Sequence, residues 1–324
     1  MLLAALTFID PTRWTARCEE AWYAGGMRLR RRRLFSLIAN EGFQVLAQGG
    51  GLTPWAKPGY HGLRRIEDIT YGPLPEHHLD VYLPPTPGPH PVVLYFHGGG
   101  FQALSRKTHW LMGLAFARRG FACFLPDYRL LPKHPYPAAP TDACLATRWV
   151  WDNAHRHEGD RSTFVLSGES AGGNLCLVTA LAACTERPEP WAQLGVVRPT
   201  AVVPFCGLLQ TSDPARFRGS VPFYMQDIID FTCESYNPTP GLGLADPLVE
   251  LERAEELVDW PRTFVPWGGS DPIGEDSARL ARTLGRLGAP VEGQEYGGMP
   301  HAFHAYLWRK AALRCWADVF AFLG

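Results

Sequence analysis

The clearest capacity for covalent chemistry lies in Gly168-Glu169-Ser170-Ala171-Gly172-Gly173. It follows the apolar run Phe164-Val165-Leu166-Ser167 and opens the helical stretch Asn174-Leu175-Cys176-Leu177-Val178. A serine so placed fits a tight strand-to-helix turn, with glycines wherever a flanking Cβ would strike a neighbouring element. Such a turn exposes Oγ at a helix N-terminus, where the dipole favours negative charge on the reacting oxygen. The chemistry would be nucleophilic attack on a carbonyl by Ser170. A bare G-x-S-x-G also arises by chance in a glycine-rich chain; the strand-turn-helix setting favours the functional reading.

A serine hydroxyl is a weak nucleophile and needs a base oriented by a carboxylate, together with donors for the developing oxyanion. His97-Gly98-Gly99-Gly100-Phe101 follows the apolar run Val92 to Phe96. Its glycines let the backbone turn N–H groups inward, and with the N–H of Ala171 these can hold an oxyanion. Alone, the same run also reads as a flexible turn. His97 is expected to fix the loop rather than act as base.

The order Ser…Asp…His leads to Trp267-Gly268-Gly269-Ser270-Asp271-Pro272 and then to Gly297-Gly298-Met299-Pro300-His301-Ala302-Phe303. Asp271 is the expected carboxylate, against the alternative of an Asx-turn or helix cap. Its rival Asp246 falls before the strand that would carry it. His301 is the expected base, with His304 directed elsewhere. His77-His78 and His155-x-His157 lack matching acidic or cysteine partners, so no metal site is expected.

Elements able to position these residues are legible in the apolar patterning. Strands are predicted at Ile66 to Tyr71, Leu79 to Leu83, Val92 to Phe96, Phe121 to Leu125, Phe164 to Ser167, Ala201 to Phe205, Thr263 to Trp267 and Val291 to Tyr296. Helices are predicted at His109 to Arg119, Thr141 to Asn153, Ala171 to Cys184, Ser277 to Leu287 and Ala311 to Leu323. Their alternation implies an α/β fold with a largely parallel sheet, its first two strands forming an antiparallel pair at one edge. Leu208 to about Leu244 breaks the rhythm, carrying Phe217, Phe223, Tyr224, Met225 and Phe231 without strand alternation. That stretch is long for a simple connection and reads as a cap insertion, with helical packing as the plainer alternative. The organisation expected is 1–60 as an N-terminal part of the cap, 61–207 and 245–324 as the catalytic α/β domain, and 208–244 as the cap insertion.

With 31 Lys+Arg against 32 Asp+Glu, the formal charge is −1, which argues against a polyanion-binding surface and hence nucleic acid. One local exception is the basic run Arg28, Arg30, Arg31, Arg32 and Arg33 before Leu34-Phe35-Ser36-Leu37-Ile38. It reads as a solvated helix end more readily than as a peripheral membrane-surface segment. No apolar stretch approaches the ~18 residues that span a bilayer. The apolar start, Met1 to Ile9, lacks a positive leader and reads poorly as a signal peptide. Eight cysteines are scattered without C-x-x-C spacing, as buried hydrophobes would be, so a reducing, cytoplasmic setting is the simpler expectation.

Taken together, these motifs resemble the bacterial hormone-sensitive-lipase family (family IV) of carboxylesterases. The resemblance runs from about Leu79 to the C-terminus. It includes His97-Gly98-Gly99-Gly100, Asp127-Tyr128-Arg129-Leu130 with Pro132-x-His134-Pro135-x-Pro137, the Ser170 elbow, Gly268-x-x-Asp271-Pro272-Ile273 and His301-x-Phe303. It implies an α/β-hydrolase fold, with an eight-stranded sheet and a helical cap built from the N-terminal residues and the later insertion. It also implies oxyanion donors at Gly99, Gly100 and Ala171, and no cofactor. Ile273 stands where the family usually has leucine, and Ala302 where glycine is common.

The expected activity is hydrolysis of short to medium acyl or aryl esters through an acyl-enzyme. Phe101, Glu169, Phe223 and Tyr224 are the expected substrate contacts, with Trp22 and Trp55 near the cap. An amidase or deacetylase would use the same three residues, and a ligand-binding receptor on this scaffold would usually lack the base that His301 supplies. A membrane-surface lipase using the basic N-terminus is a further alternative. The expected partner is a small-molecule ester, and the oligomeric state, a homodimer included, stays open.

Overall fold

The structure, a computed structural model, describes residues 31, 32, 34, 41, 42, 44, 45, 49–195, 197–239 and 243–324. Most of the expected N-terminal cap piece, including Trp22 and the remaining arginines of the basic run, lies outside them.

Eight strands form one sheet: β1 (Arg64–Thr70), β2 (His78–Leu83), β3 (His90–Phe96), β4 (Ala122–Pro126), β5 (Gly159–Glu169), β6 (Ala201–Phe205), β7 (Arg262–Gly268) and β8 (Val291–Tyr296). Their spatial order is β1-β2-β4-β3-β5-β6-β7-β8. β2 runs antiparallel to both β1 and β4, and every later pairing is parallel. The antiparallel pair sits at the edge, as the sequence predicts. From residue 52 onward the α-helices are α1 (Trp110–Ala117), α2 (Ala138–Asn153), α3 (Ala171–Cys184), α4 (Phe223–Tyr236), α5 (Pro247–Arg253), α6 (Gly274–Arg286) and α7 (Lys310–Leu323).

The continuous apolar runs are explained by burial on both faces. Alternation along β3 sends Val92, Leu94 and Phe96 into one core, with Ala143 of α2, Leu177 of α3 and Leu284 of α6. Val93 and Tyr95 enter the other, with Phe116 of α1 and Val319 of α7. β5 begins earlier than predicted, because the polar Gly159-Asp160 pairs with His90 and Pro91 before a register shift admits the apolar segment.

The register levels the carboxyl ends of the central strands. Phe96 pairs with Gly168, Glu169 with Phe205, and Gly268 with Tyr296. Loops that bind substrates in open α/β sheets leave from such ends. Here they carry the glycine run, Ser170, Asp271 and His301.

Between β6 and β7 the chain makes a turn at Pro214–Phe217, then α4, then the short α5. α4 aims carboxylates at the basic run. Arg31 Nε lies 2.7 Å from Asp227, while Arg32 is bonded to Asp230 and lies 2.7 Å from Glu234. These two arginines are thus engaged in protein contacts. No helix among the described residues is long and apolar enough to cross a membrane.

Candidate active site

Ser170 closes the turn between β5 and α3 with φ 55 and ψ −116, a strained conformation for a residue carrying a Cβ. Backbone bonds on both sides hold it. Its N–H donates to Phe205 O (3.0 Å), and its carbonyl accepts from Leu208 N (3.0 Å) and Asn174 N (3.2 Å). Gly172 is obligatory for close packing, since a Cβ there would collide with the Phe96 carbonyl at the end of β3. The elbow is therefore pressed against the start of the His97–Gly100 loop.

Gly99 holds φ 108, and a Cβ there would strike the Ala103 carbonyl, so glycine alone fits the bend. Among the described residues, the N–H groups of Gly99, Gly100 and Ala171 donate to no protein acceptor, whereas that of Gly98 is taken by Glu169 Oε1 at 2.5 Å. His97 is buried, stacks on Tyr128 at 4.2 Å and turns Nδ1 to Gly98 O. It fixes the loop.

Asp271 and His301 meet. The imidazole Nδ1 lies 3.0 Å from Oδ1 and 2.9 Å from Oδ2 of a fully buried carboxylate. Oδ1 also accepts the Ile273 N–H at 2.9 Å, so the Asx-turn alternative is satisfied by the same residue. Gly269 N bonds Tyr296 O and Ser270 N bonds Met299 O, which ties the acid loop to the base loop. Ala302, where glycine is common in the resembled family, has φ 53, the left-handed region that glycine occupies without steric cost. Asp246 instead receives Thr211 and Ser212 at the start of the insertion.

Burial disfavours the imidazolium, but the ring keeps about a third of its surface (32%) and the Asp271 carboxylate more than offsets that cost. The His301 pKa is thus raised well above the ordinary 6.5. With Nδ1–H directed at the carboxylate, the other ring nitrogen is left to accept a proton. Among the described residues no hydrogen bond joins His301 to Ser170. Both border the segment after β6: Ser170 is bonded to Phe205 and Leu208, and Cys206 lies beside His301.

Two of the expected substrate contacts are engaged by packing within the protein. Phe101 is fully buried and stacks on Tyr236 at 3.8 Å, so packing consumes its ring. Glu169 turns away behind the glycine loop, where it binds Gly98 N, His109 Nε2 at 2.5 Å and the Tyr95 hydroxyl. Phe223 is exposed and packs against Tyr224 and the Arg31 guanidinium. A cavity of about 680 Å³ lies beside the acid loop, lined by Arg216, Phe217, Pro222, Met225, Ser270 and Asp271 among others. Trp55 is also exposed.

His109 was invisible in the sequence, because it is a lone histidine ahead of a helix whose partner is 60 residues away. Burial alone would push the Glu169 carboxyl up; charged His109, then His304 and Tyr95, hold it at about 2. Its contribution to stability is therefore complete above the ordinary 4.5 and is lost as pH falls toward 2. Glu169→Gln leaves the buried His109 cation unpaired and is expected to cost ~3 kcal/mol of unfolding free energy at neutral pH. Urea titrations of both proteins check this. Equal midpoints at pH 7, or a difference undiminished as pH falls toward 2, would contradict the assignment.

Comparison with known proteins gives the same picture. The profile of the α/β-hydrolase fold family matches residues 93–305. The chain is 33% identical over 247 residues to carboxylesterase NlhH of Mycobacterium tuberculosis, covering 74% of this chain and 75% of that one. It is 30% identical to esterase LipI of the same organism, covering 84% of each. The fold is shared with esterase LipW of Mycobacterium marinum, at a TM-score of 0.72 and 24% identity, covering 89% of this chain and 88% of that one. The chain therefore belongs to the α/β-hydrolase fold family, in its hormone-sensitive-lipase-like branch.

Proposed function

We propose that this protein hydrolyses carboxylic esters with Ser170 as nucleophile, His301 as base and Asp271 as its orienting acid. The observation that supports this reading is the Asp271–His301 pair, on loops that leave the same carboxyl edge of the sheet as the strained Ser170 turn. His301 takes the Ser170 proton as Oγ attacks the ester carbonyl. The oxyanion is received by the free N–H groups of Gly99, Gly100 and Ala171. His301 then returns the proton to the leaving alcohol, and water, activated by the same imidazole, releases the acid and regenerates Ser170.

Residues 208–244 serve as a cap with the N-terminal residues. The pairing of Arg31 and Arg32 with α4 supports this, since it ties the two parts together. Short to medium acyl or aryl esters suit a cleft where Phe217 and Met225 face the acid loop.

Parallel assays of p-nitrophenyl butyrate and butyranilide test the reaction class. Ester turnover is expected to dominate, because an alkoxide or phenoxide leaves more readily than an anilide. Anilide turnover without ester turnover would overturn it.

A further inference from the structure

Cys206 has no part in the proposed reaction, yet it stands against the base. It follows the last residue of β6 with φ 38, its N–H bonded to Pro266 O (3.1 Å), and its thiol is buried. Ligand atoms of Cys206, Asp271 and His301 all lie within 4.8 Å of one another. A thiol, an imidazole and a carboxylate are the donor types that zinc-class cations bind, at about 2.0–2.3 Å from the metal. Ligand atoms of one tetrahedral site therefore stand roughly 3–4 Å apart, so small side-chain rotations would close this set. Access is present too. Asp271 lines the 680 Å³ cavity, and the imidazole is part-exposed.

We infer that Cys206, His301 and Asp271 form a site for a thiophilic divalent cation of the zinc and cadmium class, and that its occupancy switches the enzyme off. On binding, the thiol releases its proton to solvent, and the imidazole gives up its Nδ1 proton to solvent and carries one on Nε2, leaving the Nδ1 lone pair for the metal. Asp271 Oδ2, whose partner is the imidazole, becomes the third ligand, while Oδ1 keeps the Ile273 N–H. With Nδ1 on the cation and Nε2 protonated, the imidazole has no lone pair left for the Ser170 proton. Inhibition rests on the reading of His301 as base; binding does not.

Cadmium chloride titrated into the full-length wild type, Ser170→Ala and Cys206→Ala separates the two. The readouts are the ultraviolet thiolate-to-cadmium charge-transfer band and the rate of p-nitrophenyl butyrate hydrolysis. In the wild type, band and inhibition are expected to follow one curve, with a chelator reversing both. Ser170→Ala should give the same band without turnover. Cys206→Ala should lose that band, and its half-inhibition, relative to its own metal-free rate, should rise at least about tenfold, since even outer-shell losses cost ~10–100-fold in metal affinity. Cys206→Ser, which keeps the size and offers a poorer cadmium ligand, repeats the test should alanine unfold the protein. No Cys206-dependent band in the wild type, or unchanged inhibition in both cysteine variants, would overturn the site. A normal band with undiminished wild-type turnover would overturn the switch. Full activity in Ser170→Ala would overturn the proposed reaction while leaving the metal site standing.

Discussion

Ser170→Ala is expected to lower kcat for p-nitrophenyl butyrate by about a millionfold, because removing a nucleophile that works as a unit with its base removes nearly all of their joint effect. The oxyanion donors and the binding cleft remain and should still leave a residual acceleration of ~10³–10⁴ over water. Alanine at this position keeps the φ of 55 and the backbone bonds to Phe205, Leu208 and Asn174, all of which are main-chain. Melting temperature should therefore stay close to that of the wild type. Activity within tenfold of the wild type, with the fold intact, would show that another group attacks.

Asp271→Asn should lower kcat by about 10⁴. The amide can still accept the Ile273 N–H through its oxygen, so the loop should hold its shape. What changes is the imidazole. An amide NH₂ facing Nδ1 favours the tautomer with its proton on the other nitrogen, which then has no lone pair for the Ser170 proton. The pH profile of kcat/KM carries an independent signature. The base works when neutral, and Asp271 raises the pKa of His301 above the ordinary 6.5. Wild-type activity should therefore fall as pH drops through a value on the alkaline side of 6.5. In the asparagine variant, the carboxylate that favoured the imidazolium is gone, and the falling limb should move to lower pH. A limb that stays in place would mean that Asp271 does not set the charge of His301.

Much of this arrangement is legible in the sequence because it is written locally. Ser170 stands between a strand and a helix, Asp271 follows an apolar strand, His301 follows a glycine-rich turn after the last strand, and each motif contains its own turn residues. The central strands are legible as continuous apolar runs because parallel strands there are buried on both faces. Polar beginnings were harder. Gly159-Asp160 belongs to β5 only because His90 and Pro91 lie beside it. The helix of α4 does not stand out within the insertion, because its acidic face has meaning only with Arg31 and Arg32 opposite. The seven-residue α5 is too short for its period to show.

Contacts made only by tertiary structure were out of reach. Glu169 looks like a residue beside a nucleophile, and only the position of His109 reveals that it braces the loop from behind. Phe101 looks like a pocket aromatic until Tyr236 stacks on it. Cys206 resembles the other buried cysteines, although its place directly after a parallel strand was a usable signal. The seven described cysteines are all free thiols.

The central claim is that Ser170 carries the acyl group, and covalent labelling addresses it most directly. Wild-type protein treated with a fluorophosphonate, digested and mapped by mass spectrometry should carry one phosphonyl group on the peptide containing Ser170, with activity lost in step. Asp271→Asn should label far more slowly. A phosphonyl group on any other residue, or full inactivation without a modified Ser170, would contradict the account.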